Sequence, residues 1–263
     1  MFETVDYSIS ENVATITFNR PDALNALSLQ LTKDTRSAIG QAISDNARAV
    51  VITGSGRAFC AGGDLREMKT MWEAEGRIEA FLEEPLAALH GVIVAIRETP
   101  IPFIAAVNGI CAGAGTNFAL ACDMIFASSD ATFNEAFVKI GLSPDCGGSF
   151  FLPRAIGNKL AAEMFMTGGT ISADRAAQIG MINRVIDSKS LIDETIHIAR
   201  KLALAPTASI GRIKKMLNAT FSNDLRSQLE LEHKLQIESG KADDFKEGVM
   251  AFFEKRPPNF TGS

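Results

Sequence analysis

FIAAVNGICAGAGTNFALACD, residues 103–123, decides the fold. It opens with five apolar residues, Phe103 to Val107, the continuous run expected of a parallel strand covered on both faces. A turn holding Gly109, Gly113 and Gly115 follows, and then an apolar helix beginning near Ala114. The same order occurs upstream. AVVIT (49–53) is a short apolar strand, GSGRAFCAGGDL (54–65) is rich in glycine, and a charge-rich helix runs from Leu65 to about Arg77. Glycine at this density marks a backbone that something approaches closely, or one that needs unusual dihedrals. No Gly-Lys-Ser/Thr follows, so neither loop is a nucleotide P-loop. Both loops lie at the carboxyl ends of their strands, where open α/β folds bind ligands. The glycines can serve tight strand–helix packing alone. Two similar loops can also aim a pair of backbone N–H groups, at helix N-termini, at one anionic or polarised oxygen.

Outward from these units, residues 4–9 and 13–18 (VATITF) predict a hairpin across Glu11-Asn12. Pro21 ends that strand, and Asn25-Ala26-Leu27-Ser28 leads into a helix of about 17 residues whose buried face carries Leu29, Ile39 and Ile43. A helix over roughly 78–97 precedes Pro100 and Pro102, with a polar, mobile link at Gly76, and residues 66–85 shape one end of any site. MIFAS (124–128), ATF (131–133) and MINRVI (181–186) are further strands, with helices over 158–167 and 172–179. Helices are then expected over 188–204, 206–220, 222–240 and 241–255, punctuated by Pro206, Asn223 and Gly240. The reading is an α/β core over 1–200 and a helical layer over 201–263 suited to assembly.

The chain has 263 residues, 46% hydrophobic and 22% charged, ample for a buried core. A net charge of −5 argues against general nucleic-acid binding, although a local basic groove for a phosphorylated ligand is compatible with it. Four cysteines without Cys-x-x-Cys spacing and three histidines suggest neither a disulfide framework nor a zinc site. No basic-then-apolar leader and no apolar run near 18 residues is present, so a cytoplasmic location is expected.

One carboxylate stands out. In FVKIGLSPDCGGS (137–149), Asp145 interrupts an apolar run. Poor solvation there favours the neutral acid and makes it able to take and return a proton near neutral pH. Asp145 is equally well placed to cap a helix starting near Gly148.

NRPDALNAL, ITGSGRAFCAGGDL, IAAVNGICAGAGTNFALACD and the closing FFEKRPPNFTG together resemble the enoyl-CoA hydratase/isomerase (crotonase) superfamily, from Asn19 to Gly262. The resemblance implies a spiral of repeated ββα units with a C-terminal helical trimerisation region. It also implies an acyl-CoA thioester as substrate, no cofactor, and a homotrimer or dimer of trimers, with neither membrane nor nucleic acid as partner. Mapped by motif, it puts the oxyanion hole at Ala61 and Ala114. Contacts to CoA fall on Ala58, Ala61, Gly62, Gly63, Asp64, Phe252 and Lys255, the last two often reaching a neighbouring subunit. The family's hydratases use two glutamates to activate and donate water; here those positions are Asn117 and Phe137. Neither is a general base at neutral pH. The remaining aligned carboxylate is Asp145, used for proton transfer in isomerase branches, including those acting on epoxidised phenylacetyl-CoA. Asn117, Phe137, Ile140 and Leu142 would then line the acyl pocket and keep it dry.

Two other functions fit parts of this pattern. An aryl-CoA dehalogenase would pair a nucleophilic Asp145 with His90, but Phe137 replaces the expected tryptophan and His90 sits among Leu86, Leu89 and Ile93 as a packing histidine would. A non-catalytic acyl-CoA or RNA binder would keep only the fold, and the acidic total opposes RNA.

Overall fold

The computed structural model describes residues 2–263. Strands β1 (Val5–Ser10) and β2 (Val13–Phe18) form the expected hairpin, turned by Glu11 and Asn12, both at positive φ. Strand β2 pairs in parallel with β3 (Ala49–Gly54), whose six residues are all buried. The sheet then continues through β5 (Phe103–Val107), β7 (Met124–Ser128) and β10 (Arg184–Ile186).

A second sheet stands beside the first, and the sequence concealed most of it. Strands β4 (Ala58–Cys60), β6 (Ile110–Ala112), β8 (Thr132–Asn134) and β9 (Thr170–Ser172) pair in that order. Only β8 was expected as a strand; β4 and β6 lie inside stretches read as glycine turns. Three-residue strands carry too little alternation to be recognised from pattern. The chain therefore steps from a long strand in the first sheet to a short one in the second and then to a helix, a repeated ββα spiral.

The helices are α1 (Leu29–Ser44), α2 (Leu65–Glu75), α3 (Glu84–Glu98), α4 (Ala114–Ala121) and α5 (Gly148–Thr167). They continue as α6 (Ala173–Gln178), α7 (Leu191–Ala203), α8 (Thr207–Ala219), α9 (Leu225–Gly240) and α10 (Asp243–Glu254). The single helix expected over 78–97 is instead a 3₁₀ turn at Ile78–Leu82 followed by α3. Pro85 explains the division, because proline is tolerated in the first helical turn but not in a helix interior. Helix α5 is broken at Gly157, whose ψ of 158° is not helical.

Phe18 of β2, Phe59 of β4 and Phe118 of α4 are fully buried, with ring centroids 5.3–6.4 Å apart. This cluster joins the hairpin, the first glycine loop and the second. Burying one such ring contributes about 1.5–3 kcal/mol. Gly115 sets how close the loops come: a Cβ there would lie 2.3 Å from the Cys60 carbonyl oxygen. Gly115→Ala is expected to destabilise the protein by about 1–3 kcal/mol or more, because backbone cannot swing aside as a flexible side chain can. Thermal unfolding measures it, and an unchanged midpoint would contradict the close approach.

The helical tail folds back onto the core. Arg48 donates to the Thr207 hydroxyl, the Ala205 carbonyl and the Phe260 carbonyl. Buried Lys214 donates to Asp123 and to the Ile96 and Ile101 carbonyls. Buried Asp244 accepts from the N–H groups of Thr261 and Gly262. Leu225, Leu229, Phe252 and Phe253 remain exposed on α9 and α10. Among the described residues, no helix is long and apolar enough to cross a membrane.

Candidate functional site

A cavity of about 140 Å³ opens between the two glycine loops, α2, α3 and the 3₁₀ turn Ala136–Ile140. Leu65, Met68, Phe81, Leu82 and Pro85 form one wall, so the stretch expected to shape one end of the site does so. Phe137, Ile140 and Leu142 also line the cavity. Among the described lining residues, Asp145 is the only ionisable one.

The first glycine loop requires a correction. Ala61 lines the cavity, but its N–H donates to the Leu24 carbonyl at 3.0 Å and is spent. Gly63 has the free N–H. Its neighbours are clamped on either side, Leu27 N–H to Gly62 oxygen at 2.7 Å and Asp64 N–H to Leu27 oxygen at 3.1 Å, while the Gly63 N–H donates to no acceptor among the described residues. Ala114, at the first position of α4, likewise has a free N–H. Gly62, with φ +98°, lies directly against Ala112 and Ala114. Gly63 and Ala114 are thus the pair of donors, at the N-terminal ends of α2 and α4, able to hold a developing negative charge.

Of the other residues expected at CoA, Gly62 and Gly63 line the cavity and Ala58 does not, being buried in β4. Asp64 supports the loop instead of lining it. Its Oδ1 caps α2 by accepting from the Arg66 and Glu67 N–H groups, and its Oδ2 pairs with Arg20 at 2.8 Å. Burial alone would raise its pKa; Arg20 and the capping bonds overrule that and hold the carboxyl below its usual range. Phe252 lines a separate groove with Phe260, and Lys255 is exposed with φ +55°; neither lines this cavity of its own chain.

Asp145 does not cap a helix. Gly147 takes the N-cap position of α5 without a side-chain bond. Cys146 (φ +50°) and Gly147 (φ +80°) turn the chain sharply, so that the Asp145 carbonyl, not the carboxyl, accepts from Gly148 N–H. The side chain is left facing the cavity, with a buried Oδ1 lacking a partner among the described residues. Burial raises its pKa, opposed by the Cys146 thiol and by nearby His90.

Asn117, expected in the acyl pocket, is not there. It is fully buried behind the cavity and donates from Nδ2 to the Asp145 carbonyl at 2.9 Å. Gly148 permits this, since a Cβ there would fall 2.3 Å from the Asn117 amide. His90, read as a packing histidine, does reach the Asp145 turn, where its Nε2 accepts the Cys146 N–H at 3.3 Å. It does not line the cavity, and that lone pair is occupied. A further acid, Glu135, passed unnoticed in the sequence although it too stands alone among apolar residues in ATFNEAFVKI (131–140). It is fully buried beside Asn117 and Asp145.

A model of the enoyl-CoA hydratase/isomerase family matches residues 8–263. The chain is 43% identical over 262 residues to a probable enoyl-CoA hydratase of Rhodobacter capsulatus, covering 99% of each. It is 37% identical over 263 residues to the 1,2-epoxyphenylacetyl-CoA isomerase of Escherichia coli, covering 100% of each. A crystal structure of an enoyl-CoA hydratase from Polaromonas sp. JS666 matches with a TM-score of 0.92 at 34% identity, covering 97% of this chain and 99% of that one.

Proposed function

The chain belongs to the enoyl-CoA hydratase/isomerase family, and we propose that within it this protein is an acyl-CoA isomerase in which Asp145 carries the proton. The observation that carries the reading is that Asp145 is the lone ionisable group in the cavity wall among the described residues, with one carboxyl oxygen lacking a partner among them. The Asp145 carboxylate removes a proton alpha to the thioester carbonyl, and the C–H electron pair passes into the enolate. The Gly63 and Ala114 N–H groups donate hydrogen bonds to the thioester oxygen, which carries the resulting charge. The protonated Asp145 then returns its proton farther along the conjugated system, and the double bond moves. An epoxide on an aromatic acyl group could instead use the same acid to assist ring rearrangement. A pKa raised by burial suits a group that must both take and give a proton near neutral pH. Only proton transfer is involved, so no cofactor is required.

Water addition is poorly served. The two positions that carry glutamates in the family's hydratases are an apolar ring and a buried amide facing away from the cavity. An aryl-CoA dehalogenase needs a free histidine base, and the His90 Nε2 is occupied. The exposed apolar residues of α9 and α10 support assembly as a trimer or dimer of trimers, which would bring Phe252 and Lys255 to a neighbour's CoA.

The test is to supply 3-enoyl-CoA, 1,2-epoxyphenylacetyl-CoA and 2-enoyl-CoA side by side. Turnover of one of the first two without added water is expected. Efficient conversion of 2-enoyl-CoA to the 3-hydroxy product, with neither isomerisation, would overturn the reading in favour of a hydratase.

A further inference from the structure

Two carboxyls lie near each other at the cavity, half-buried Asp145 on its wall and fully buried Glu135 behind it, and the proposed reaction uses only the first. Glu135 lies between β8 and the 3₁₀ turn that carries Phe137, and it does not line the cavity. Both its carboxyl oxygens, and Oδ1 of the adjacent Asn117, are buried with no hydrogen-bond partner among the described residues. Three unpaired acceptors at one spot are strongly disfavoured. One proton pairs two of the three. A neutral carboxylic acid presents an O–H donor and a C=O acceptor, the complement of a carboxamide, which itself presents C=O and N–H.

We propose that Glu135 is held as a neutral carboxylic acid whose O–H closes the open Oδ1 of Asn117, making Glu135 a positioning residue for Asp145. Asn117 is the connection, because its Nδ2 already holds the Asp145 main-chain carbonyl at 2.9 Å. With both ends of the amide engaged, the sharp turn at Cys146 and Gly147 is braced from behind and the Asp145 carboxyl is kept on the cavity wall. A carboxylate at Glu135 would instead place two anions together and leave Asn117 Oδ1 facing a charge of the same sign.

Titration follows from the surroundings. Burial pushes the Glu135 carboxyl up to about 8 and the Asp145 charge adds to it; a nearby Asn117 N–H would favour the carboxylate, and the proposed O–H bond to Oδ1 acts against that. The other titratable groups facing it are the thiols of Cys111 on β6 and Cys146, both pushed upward first by burial, while His90 of α3 approaches Asp145. Raising the pH through the Glu135 pKa therefore removes the O–H and is expected to end turnover on an alkaline limb.

The proposal rests on the isomerase reading for its kinetic consequence, and the experiment separates the two. Wild type, Glu135→Gln and Glu135→Ala are compared by infrared spectroscopy and by kcat and KM against pH. The wild type should show the carbonyl stretch of a buried protonated carboxyl at pH 7, absent from Glu135→Gln. Glu135→Ala should lower kcat by about 10–100-fold with little change in KM, as expected for loss of a supporting contact. Glu135→Gln keeps the shape and a donor but cannot ionise, so it should rescue most of that loss and abolish the alkaline limb. A missing acid band, or a Glu135→Gln protein as impaired as Glu135→Ala, would overturn the proposal. An acid band present while wild type performs no isomerisation would sink the isomerase reading and with it the kinetic role, leaving only the protonation state of Glu135 established.

Discussion

Asp145→Asn is expected to lower isomerase turnover by about 10²–10⁴-fold, the range that one positioned acid–base group supplies. The substitution preserves shape. The Asp145 carbonyl keeps its bonds from Gly148 and Asn117, and Cys146 keeps its contact with His90, because all of these use main-chain atoms of the turn. Stability should therefore change little, or rise slightly, since a half-buried carboxyl disfavoured by desolvation is replaced by a neutral amide. KM should also stay near wild type, since the rest of the cavity is unaltered. The decisive measurement is kcat together with exchange of the substrate's alpha proton into deuterium oxide. If Asp145 is the base, both are lost together. Turnover within a few-fold of wild type in a folded variant would show that another group moves the proton, and no other ionisable side chain among the described residues lines the cavity.

The second large effect is predicted at a backbone atom. Replacing the Ala114 peptide N–H by an ester oxygen deletes one proposed donor without adding atoms. Removing a single donor of this kind typically costs about 10²–10³-fold in kcat, or roughly 2.7–4 kcal/mol. Little structural penalty is expected, because this N–H donates to no acceptor among the described residues. The same ester at Ala61 is the control. There the N–H is bound to Leu24, so stability should fall while the chemistry retains both donors. If the Ala61 ester suppressed kcat and the Ala114 ester did not, the assignment of Gly63 and Ala114 would be wrong.

This contrast also marks where the sequence stops being informative. The glycine loops announce themselves by composition, and β3 and β5 by unbroken apolar runs that only a doubly covered strand needs. Which N–H in AGGD stays free is another matter. It depends on Leu24 and Leu27, whose carbonyls, supplied by a distant segment, accept from Ala61 and Asp64 and skip Gly63. Asp145 was legible as an unusual acid, but choosing between cap and catalyst required the paired positive φ values of Cys146 and Gly147. Asn117 and Glu135 were misplaced or missed for a related reason. A polar residue in an apolar stretch can turn toward a cavity, toward solvent or toward another buried polar group, and only the packing of α4 against α5 and the 3₁₀ turn selects among them. The short strands of the second sheet belong to the same class, having three residues each and no period of their own.

The bonds of Arg48 and Asp244 reach beyond stability, to the order in which the molecule can be built. Arg48 enters with β3, among the first fifth of the chain to be synthesised, yet its acceptors are Ala205, Thr207 and Phe260. Asp244 is buried only because Thr261 and Gly262 come back to meet it. The acceptors of Arg48 lie 157–212 residues further along the chain than Arg48 itself, so the bonds that hold the tail form after β3 has been made. The core sheets can form first, and the helical tail is latched onto them last.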